Sequence, residues 1–201
     1  MDQTALIIFV RNPVLGNVKT RLAKDLGDEK TLAVYRLLLQ HTLDITLPLP
    51  CEKFVYYADE PEAQDIWNRP GYIKKQQSGN DLGERMLLTF SELFEQGYKR
   101  VLIIGSDCYQ LSTNMLERAI TILDTHSAVL GPANDGGYYL LGMNTLLPDL
   151  FINKPWSSDA VAALSIADFN NHGLTYSLLD ELSDVDTIND LPDNYLKLLG
   201  L

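Results

Sequence analysis

Residues 4–10 (Thr-Ala-Leu-Ile-Ile-Phe-Val) and 101–105 (Val-Leu-Ile-Ile-Gly) are continuous apolar runs bounded by turn residues. Short runs of this kind, rich in β-branched side chains, predict strands buried on both faces of a parallel sheet. Residues 52–57, 72–76, 127–132 and 175–179 are read as further strands. Between them the period changes to that of a helix. In 28–47, Leu32, Tyr35, Leu38, Leu39 and Leu43 share one side, His41 lies within the helix as a structural residue, and Pro48 and Pro50 stop it. Shorter helices are predicted over 61–68, from the loop 78–86 to about 96, over 112–123 with Ser112 as cap, and from the segment 155–159 to about 171, where Gly173 can end the last one. Asn134-Asp135-Gly136-Gly137 between apolar runs predicts a tight hairpin turn. Strands alternating with helices predict an α/β fold, and 201 residues fit one domain spanning 1–201.

Charge narrows the partners. A formal net charge of -11 argues against nucleic acid or an anionic membrane as a partner. No apolar run is long enough to span a membrane. With no leader visible, Cys51 and Cys108 are expected to be reduced thiols in the cytoplasm, and their spacing makes no metal motif.

Against that acidic background, four of the sixteen basic residues (Arg11, Lys19, Arg21 and Lys24) fall in one segment after the first strand. Asn12-Pro13 and Gly16 mark a loop there, and Thr20 and Arg21 open a helical turn. Backbone amides joined to Lys and Arg can hold phosphate. The spacing is neither Walker A nor the dinucleotide G-x-G-x-x-G, and a solvated basic face is the competing reading. Asp107 follows the 101–105 strand, where open α/β sheets keep their ligands. A carboxylate beside small residues suits Mg2+ or Mn2+, and a helix cap or turn suits it equally. In 78–86, Asn80 or Asp81 reads as a helix cap with Glu84 behind it, and Arg85 is left to face a ligand. Asp184, Asp186 and Asp190 could supply a second metal carboxylate and a cap, or only a solvated acidic turn.

Taken together, Phe9, Arg11, Pro13, Gly16, Lys19-Thr20-Arg21-Leu22-Ala23, Asp81-Leu82-Gly83-Glu84-Arg85, Gly105-Ser106-Asp107-Cys108, Gly131-Pro132, Asp135-Gly136-Gly137-Tyr138-Tyr139-Leu140-Leu141-Gly142, Trp156-Ser157 and Asp184-Val185-Asp186-Thr187 resemble the selenodomain-associated transferases of the glycosyltransferase-A superfamily. More distantly the chain is similar to guanylyltransferases acting on phospholactate, phosphoenolpyruvate or the molybdenum cofactor. The resemblance covers nearly the whole length. It implies a nucleotide-diphospho-sugar transferase fold, with a mostly parallel mixed sheet between helices and a nucleotide across the strand ends. It implies a divalent ion on Asp107. One departure is Tyr109, where the pattern has proline, which bears on the rigidity of the loop after Asp107.

These readings converge on a metal-dependent transferase. Lys19 and Asp107 are the expected catalytic residues. Arg11, Gly16, Lys19, Thr20, Arg21, Leu82, Gly83 and Arg85 are expected to bind the nucleotide. Asp135, Gly136, Gly137, Trp156 and Ser157 are expected on the acceptor side, and Asp107 with Asp186 at Mg2+ or Mn2+. The first expected reaction moves a nucleotidyl group from a nucleoside triphosphate to a small phosphorylated or carboxylated acceptor. The alternatives are a glycosyltransferase with a nucleotide-sugar donor and a nucleotide-binding regulatory module without turnover.

Overall fold

The structure is a computed structural model, and it describes residues 3–198 and 200. Its frame is one seven-stranded sheet. The strands are β1 (Thr4–Val10), β2 (Glu52–Tyr57), β3 (Tyr72–Gln76), β4 (Arg100–Ile104), β5 (Ala128–Pro132), β6 (Tyr138–Met143) and β7 (Tyr176–Leu178). They lie in the order β3-β2-β1-β4-β6-β5-β7. All neighbours are parallel except β6, which runs against both β4 and β5. The β5–β6 connection is the hairpin that the Asp-Gly-Gly sequence predicts, with Gly136 at φ 85°.

Side-chain alternation along the strands sorts the core into two layers. Leu6, Ile8, Leu102 and Ile104 point to one face, where they meet Tyr35, Leu39 and Leu43 of α2 (Asp28–Thr46) and Leu116 and Ala119 of α4 (Thr113–Ile122). Ala5, Ile7, Val101 and Ile103 point to the other, against Met86, Phe90 and Leu93 of α3 (Leu82–Glu95) and Phe169 of α5 (Val161–Asn171). A third cluster joins α1 (Thr20–Leu26) and α2 to the C-terminal segment, which ends in α6 (Asp193–Leu198). Leu22, Val34 and Leu38 pack there on Val185, Leu191 and Tyr195.

Local chemistry explains the helix ends. Asp81 caps α3 by accepting from Glu84 N at 2.8 Å, and Ser112 caps α4 by accepting from Met115 N. Gly173, at φ 63°, follows the last turn of α5. The helix expected over 61–68 is absent, and this corrects the sequence reading. Asp65 and Asn68 side chains bond the loop backbone instead, at Trp67 N (2.9 Å), Asp65 N (2.7 Å) and Ala63 O (3.1 Å). Such side-chain bonds offer the backbone an alternative to a helix.

Candidate active-site cleft

The chain winds outward from β1 in both directions, to β2 on one side and β4 on the other. Ligand crevices of α/β sheets open at such a switch point, beyond the carboxyl ends of the strands. Here the loop after β1 carries Lys19 and the loop after β4 carries Asp107. A cleft of ≈ 1000 Å³ opens between them.

Lys19 sits at the start of α1 with φ 45° and ψ 50°, a left-handed conformation that costs a non-glycine residue. That backbone turn delivers its side chain, 9% exposed, into a group of carboxylates. Nζ donates to Asp107 Oδ2 at 2.7 Å and to Asp186 Oδ1 at 3.1 Å. Burial alone would lower the Lys19 pKa, but the two carboxylates outweigh it and hold the ammonium above its ordinary 10.5. Gly105 makes room for this arrangement, since a Cβ there would lie 2.8 Å from Asp107 Oδ1.

Asp186 arrives from the far end of the chain. In Asp184-Val185-Asp186, Val185 is buried against Leu22 and Leu38, and its N donates to Asp107 O at 2.9 Å. Asp184 and Asp186 both line the cleft. Asp184 Oδ1 is buried with no hydrogen-bond partner. Desolvation first, and then the charge of Asp107, push this carboxyl up to about 7. Asp190 is used differently. Its Oδ2 accepts from Thr187 N, Thr187 Oγ1 and Asp186 N, which caps a short 3-10 turn and lowers its pKa against the effect of burial.

The other expected residues divide. Arg11, Thr20, Arg21, Leu82 and Arg85 line the cleft with Lys19. Arg21 Nη1 reaches Asp186 at 3.4 Å from a side chain that is 78% exposed. Asp135, Gly137, Trp156 and Ser157 line it as well. Gly16, Gly83 and Gly136 are not part of its lining. Gly16 turns the first loop at φ 77°. Gly83 lies under the indole, where a Cβ would come within 2.4 Å of Trp156 Nε1. Gly136 backs onto Asp159, whose O would be 2.1 Å from a Cβ.

Two further residues had left no motif in the sequence. Tyr35, one of the apolar-face positions of α2, accepts from Arg11 N at 2.9 Å and donates to Arg11 O at 3.1 Å, and so pins the start of the basic loop. Gln77 lines the cleft with its Nε2 bonded to Tyr56 O at 3.0 Å and its Oε1 accepting from Arg85 Nη1 at 3.4 Å. Tyr109, where a proline was expected, is held between His41 and Tyr195, each with ring centroids at 4.8 Å, and its OH accepts from Asn194 Nδ2. The loop after Asp107 is therefore braced by rings instead of by a pyrrolidine. Cys108 is buried, and its thiol is pushed up to about 12 by desolvation, so it is no nucleophile at neutral pH.

Among the described residues, no three His, Cys, Asp or Glu side chains form a metal-binding group. Mg2+ asks for less, since it is commonly held by one or two carboxylates together with substrate phosphates. Asp107 and Asp186 converging on one cation, beside the unpartnered oxygen of Asp184, fit such an ion.

Comparison with known proteins follows this geometry. A candidate nucleotide-diphospho-sugar transferase from Desulfovibrio desulfuricans G20 is 32% identical, with a TM-score of 0.85 over 93% of this chain and 84% of its own. CMP:2-keto-3-deoxy-manno-octonic acid synthetase complexed with CTP is 11% identical, with a TM-score of 0.58 over 98% of each chain. Rv0371C of Mycobacterium tuberculosis H37Rv, in complex with manganese, is 14% identical, with a TM-score of 0.52 over 99% of this chain and 98% of its own. These matches show a nucleotide-diphospho-sugar transferase fold, the first at the level of a relative and the other two at the level of the fold alone. Among curated proteins none matches the chain. The family model described as "Uncharacterized protein conserved in bacteria" matches residues 44–158, more than half of the length, and the chain belongs to that family, DUF2064.

Proposed function

We propose that the chain is one nucleotide-binding transferase domain that moves a nucleotidyl group from a nucleoside triphosphate to a small acceptor. The observation that carries this reading is the Lys19 ammonium between Asp107 and Asp186, with three more cations on the same cleft. The relative described above as a nucleotide-diphospho-sugar transferase and the CTP-bound synthetase of like fold support it in kind. So does the resemblance to selenodomain-associated transferases and guanylyltransferases.

In this reading Arg11, Lys19, Arg21 and Arg85 bind the triphosphate, with charge-assisted hydrogen bonds to its oxygens. Asp107 and Asp186 hold Mg2+ or Mn2+, which supplies neutralisation of charge on the reacting and leaving phosphates. Asp107 and Lys19 act together, because the same carboxylate orients the ammonium now. Tyr35 fixes the loop through the Arg11 backbone, so that the cations are positioned before the ligand arrives. The acceptor oxygen attacks the α-phosphorus in line, the bond from that phosphorus to the β-bridging oxygen breaks, and pyrophosphate leaves. Any proton on the acceptor oxygen passes to water in the open cleft. Trp156 and Ser157 border the acceptor.

A second reading keeps the cleft and moves a sugar from a nucleotide-sugar donor, and the description of the 32% identical relative favours it. The products separate the two. The protein is incubated with Mg2+ or Mn2+ and each donor class over an acceptor panel. Acceptor-dependent pyrophosphate from a triphosphate supports the first reading. Release of nucleoside diphosphate from a nucleotide sugar replaces it with the second. Tight nucleotide binding with neither product would leave a binding module.

A further inference from the structure

Cations are confined to one part of the cleft, where they stand among Asp81, Asp107, Asp184 and Asp186. Among the described residues, all the cations that line it, Arg11, Lys19, Arg21 and Arg85, come from the first 85 positions. The wall built by the β5–β6 turn and the segment before α5 contributes Asp135 and Asp159 and no Lys, Arg or His. The nearest basic side chain in that segment, Lys154, is turned away into an ion pair with Asp168 and is 7% exposed. The wall is also firmly built. Asp135 Oδ1 accepts from Gly137 N at 2.9 Å, and the Asp159 backbone packs on Gly136 too closely for any Cβ between them.

We propose, resting on the transferase reading above, that the acceptor held by this wall is an uncharged polyhydroxylated molecule, a polyol or a sugar, and not the phosphorylated or carboxylated acid that the sequence suggests. A carboxylate has only acceptor oxygens, so its partner has to bring donors. Hydroxyl groups do so without charge. An acidic acceptor would instead place its anion against Asp135 and Asp159 in a protein of net charge -11, with all four cations engaged on the phosphate side. The Ser157 and Ser158 hydroxyls can serve hydroxyl ligands in either sense, and the Trp156 ring offers the C–H face of a polyol an apolar surface. Like charge thus excludes the wrong acceptor, and hydrogen bonding selects the right one.

The test uses matched acceptor pairs that differ by one phosphate: glycerol, ribose, glucose and myo-inositol against their monophosphates. Nucleotide binding is measured first by calorimetry with Mg2+. Binding of each pair member to the nucleotide-saturated protein follows by saturation-transfer NMR, together with product release. The unphosphorylated members are expected to bind and turn over better, by about tenfold for a clear case of like-charge rejection. Asp135→Asn with Asp159→Asn should narrow that gap, and the amide oxygen that Asp135→Asn retains can still accept from Gly137 N, so the wall stays folded. Preference of the wild type for the monophosphates overturns the inference and leaves the transferase reading standing. Binding of no neutral member at millimolar concentration, or a gap unchanged in the double variant, overturns it equally. A protein that binds no nucleotide fails at the first measurement, which is the failure of the transferase reading itself.

Discussion

The wall built by residues 11–21 and 77–86 presents guanidinium and ammonium groups and the Asp81 carboxylate to the cleft, and the wall built by residues 135–161 presents carboxylates, serines and a tryptophan but no cation. The first is held in shape by bonds to its backbone: Tyr35 on Arg11, and a left-handed turn at Lys19. The second is held by close approach, Gly136 on Asp159 and Gly83 on Trp156. One wall is suited to a polyanion with many oxygens. The other is suited to a ligand that brings its own donors. They share a charge centre at the floor, where Lys19 from the basic side meets Asp107 and Asp186. On the proposed reading, donor and acceptor selectivity sit on different loops of one sheet and can be altered separately.

The largest effect is expected from breaking that floor. Asp107→Asn removes the charge a hard cation requires and half of the Lys19 clamp. Metal-dependent nucleotide affinity, measured by calorimetry, should fall on the order of a hundredfold while the circular dichroism of the folded protein is retained, because several kcal/mol of charge stabilisation are at stake. Unchanged affinity in the folded variant would remove Asp107 from the ion site.

Next comes the basic wall alone. Lys19→Met should weaken triphosphate by roughly tenfold or more and leave the bare nucleoside nearly unchanged, since a hydrogen bond to a charged group is worth about 1.5–3 kcal/mol. Arg21→Ala should act in the same direction by less, because its side chain is 78% exposed and solvent screens its charge. Equal losses for nucleoside and triphosphate would mean repacking instead.

The two walls touch where Gly83 of α3 lies under Trp156. Gly83→Ala drives a Cβ to 2.3 Å from Phe151 O and 2.4 Å from Trp156 Nε1. Overpacking of this kind costs roughly 1–3 kcal/mol. Urea unfolding should show that loss, and tryptophan fluorescence should report the displaced indole. A variant as stable as the parent would show that the contact yields at little cost.

The last expected effect is one of pH on the metal-free protein. The Asp184 carboxyl ionises near 3.8 when unfolded and near 7 when folded. Between those values the folded state holds the extra proton, so this group's contribution to stability falls as pH rises through the window. Asp184→Asn should flatten the fall in midpoint denaturation between pH 4 and 7. A fall of the same slope in the variant would assign it to another group.

How much of this was readable in advance follows from the range of the interactions involved. Strands and helices were legible because burial on two faces imposes apolar runs and a 3.6-residue period, and the caps Asp81 and Ser112 announce themselves locally. The turn at Gly136 was legible for the same reason. The loop at 61–68 was not, because the backbone bonds of Asp65 and Asn68 and the burial of Trp67 leave no periodic signal in the sequence. Spacing could not show that Lys19 meets residues 88 and 167 positions away. The resemblance implied an ion on Asp107 alone, and the alternating acids offered Asp184, Asp186 or Asp190 as a second carboxylate without showing which one meets Lys19; Tyr35 was read only as an apolar-face position, and nothing pointed to the unpartnered oxygen of Asp184. The brace around Tyr109 is equally non-local, with partners in α2 and α6.

At the floor of the cleft the Lys19 ammonium, together with the Arg21 guanidinium, offsets the Asp107 and Asp186 carboxylates. A divalent ion that arrives alone has to displace a cation tethered to the same chain, whose effective concentration at the carboxylates is high. An ion that arrives on a triphosphate brings the displaced lysine a new anion, and the exchange costs no net ion pair. Free Mn2+ should accordingly bind the Lys19→Met protein more tightly than the parent, whereas the parent should take up the ion together with its nucleotide. On the proposed metal site the lysine would then work as a lock on the order of addition, disfavouring metal without substrate.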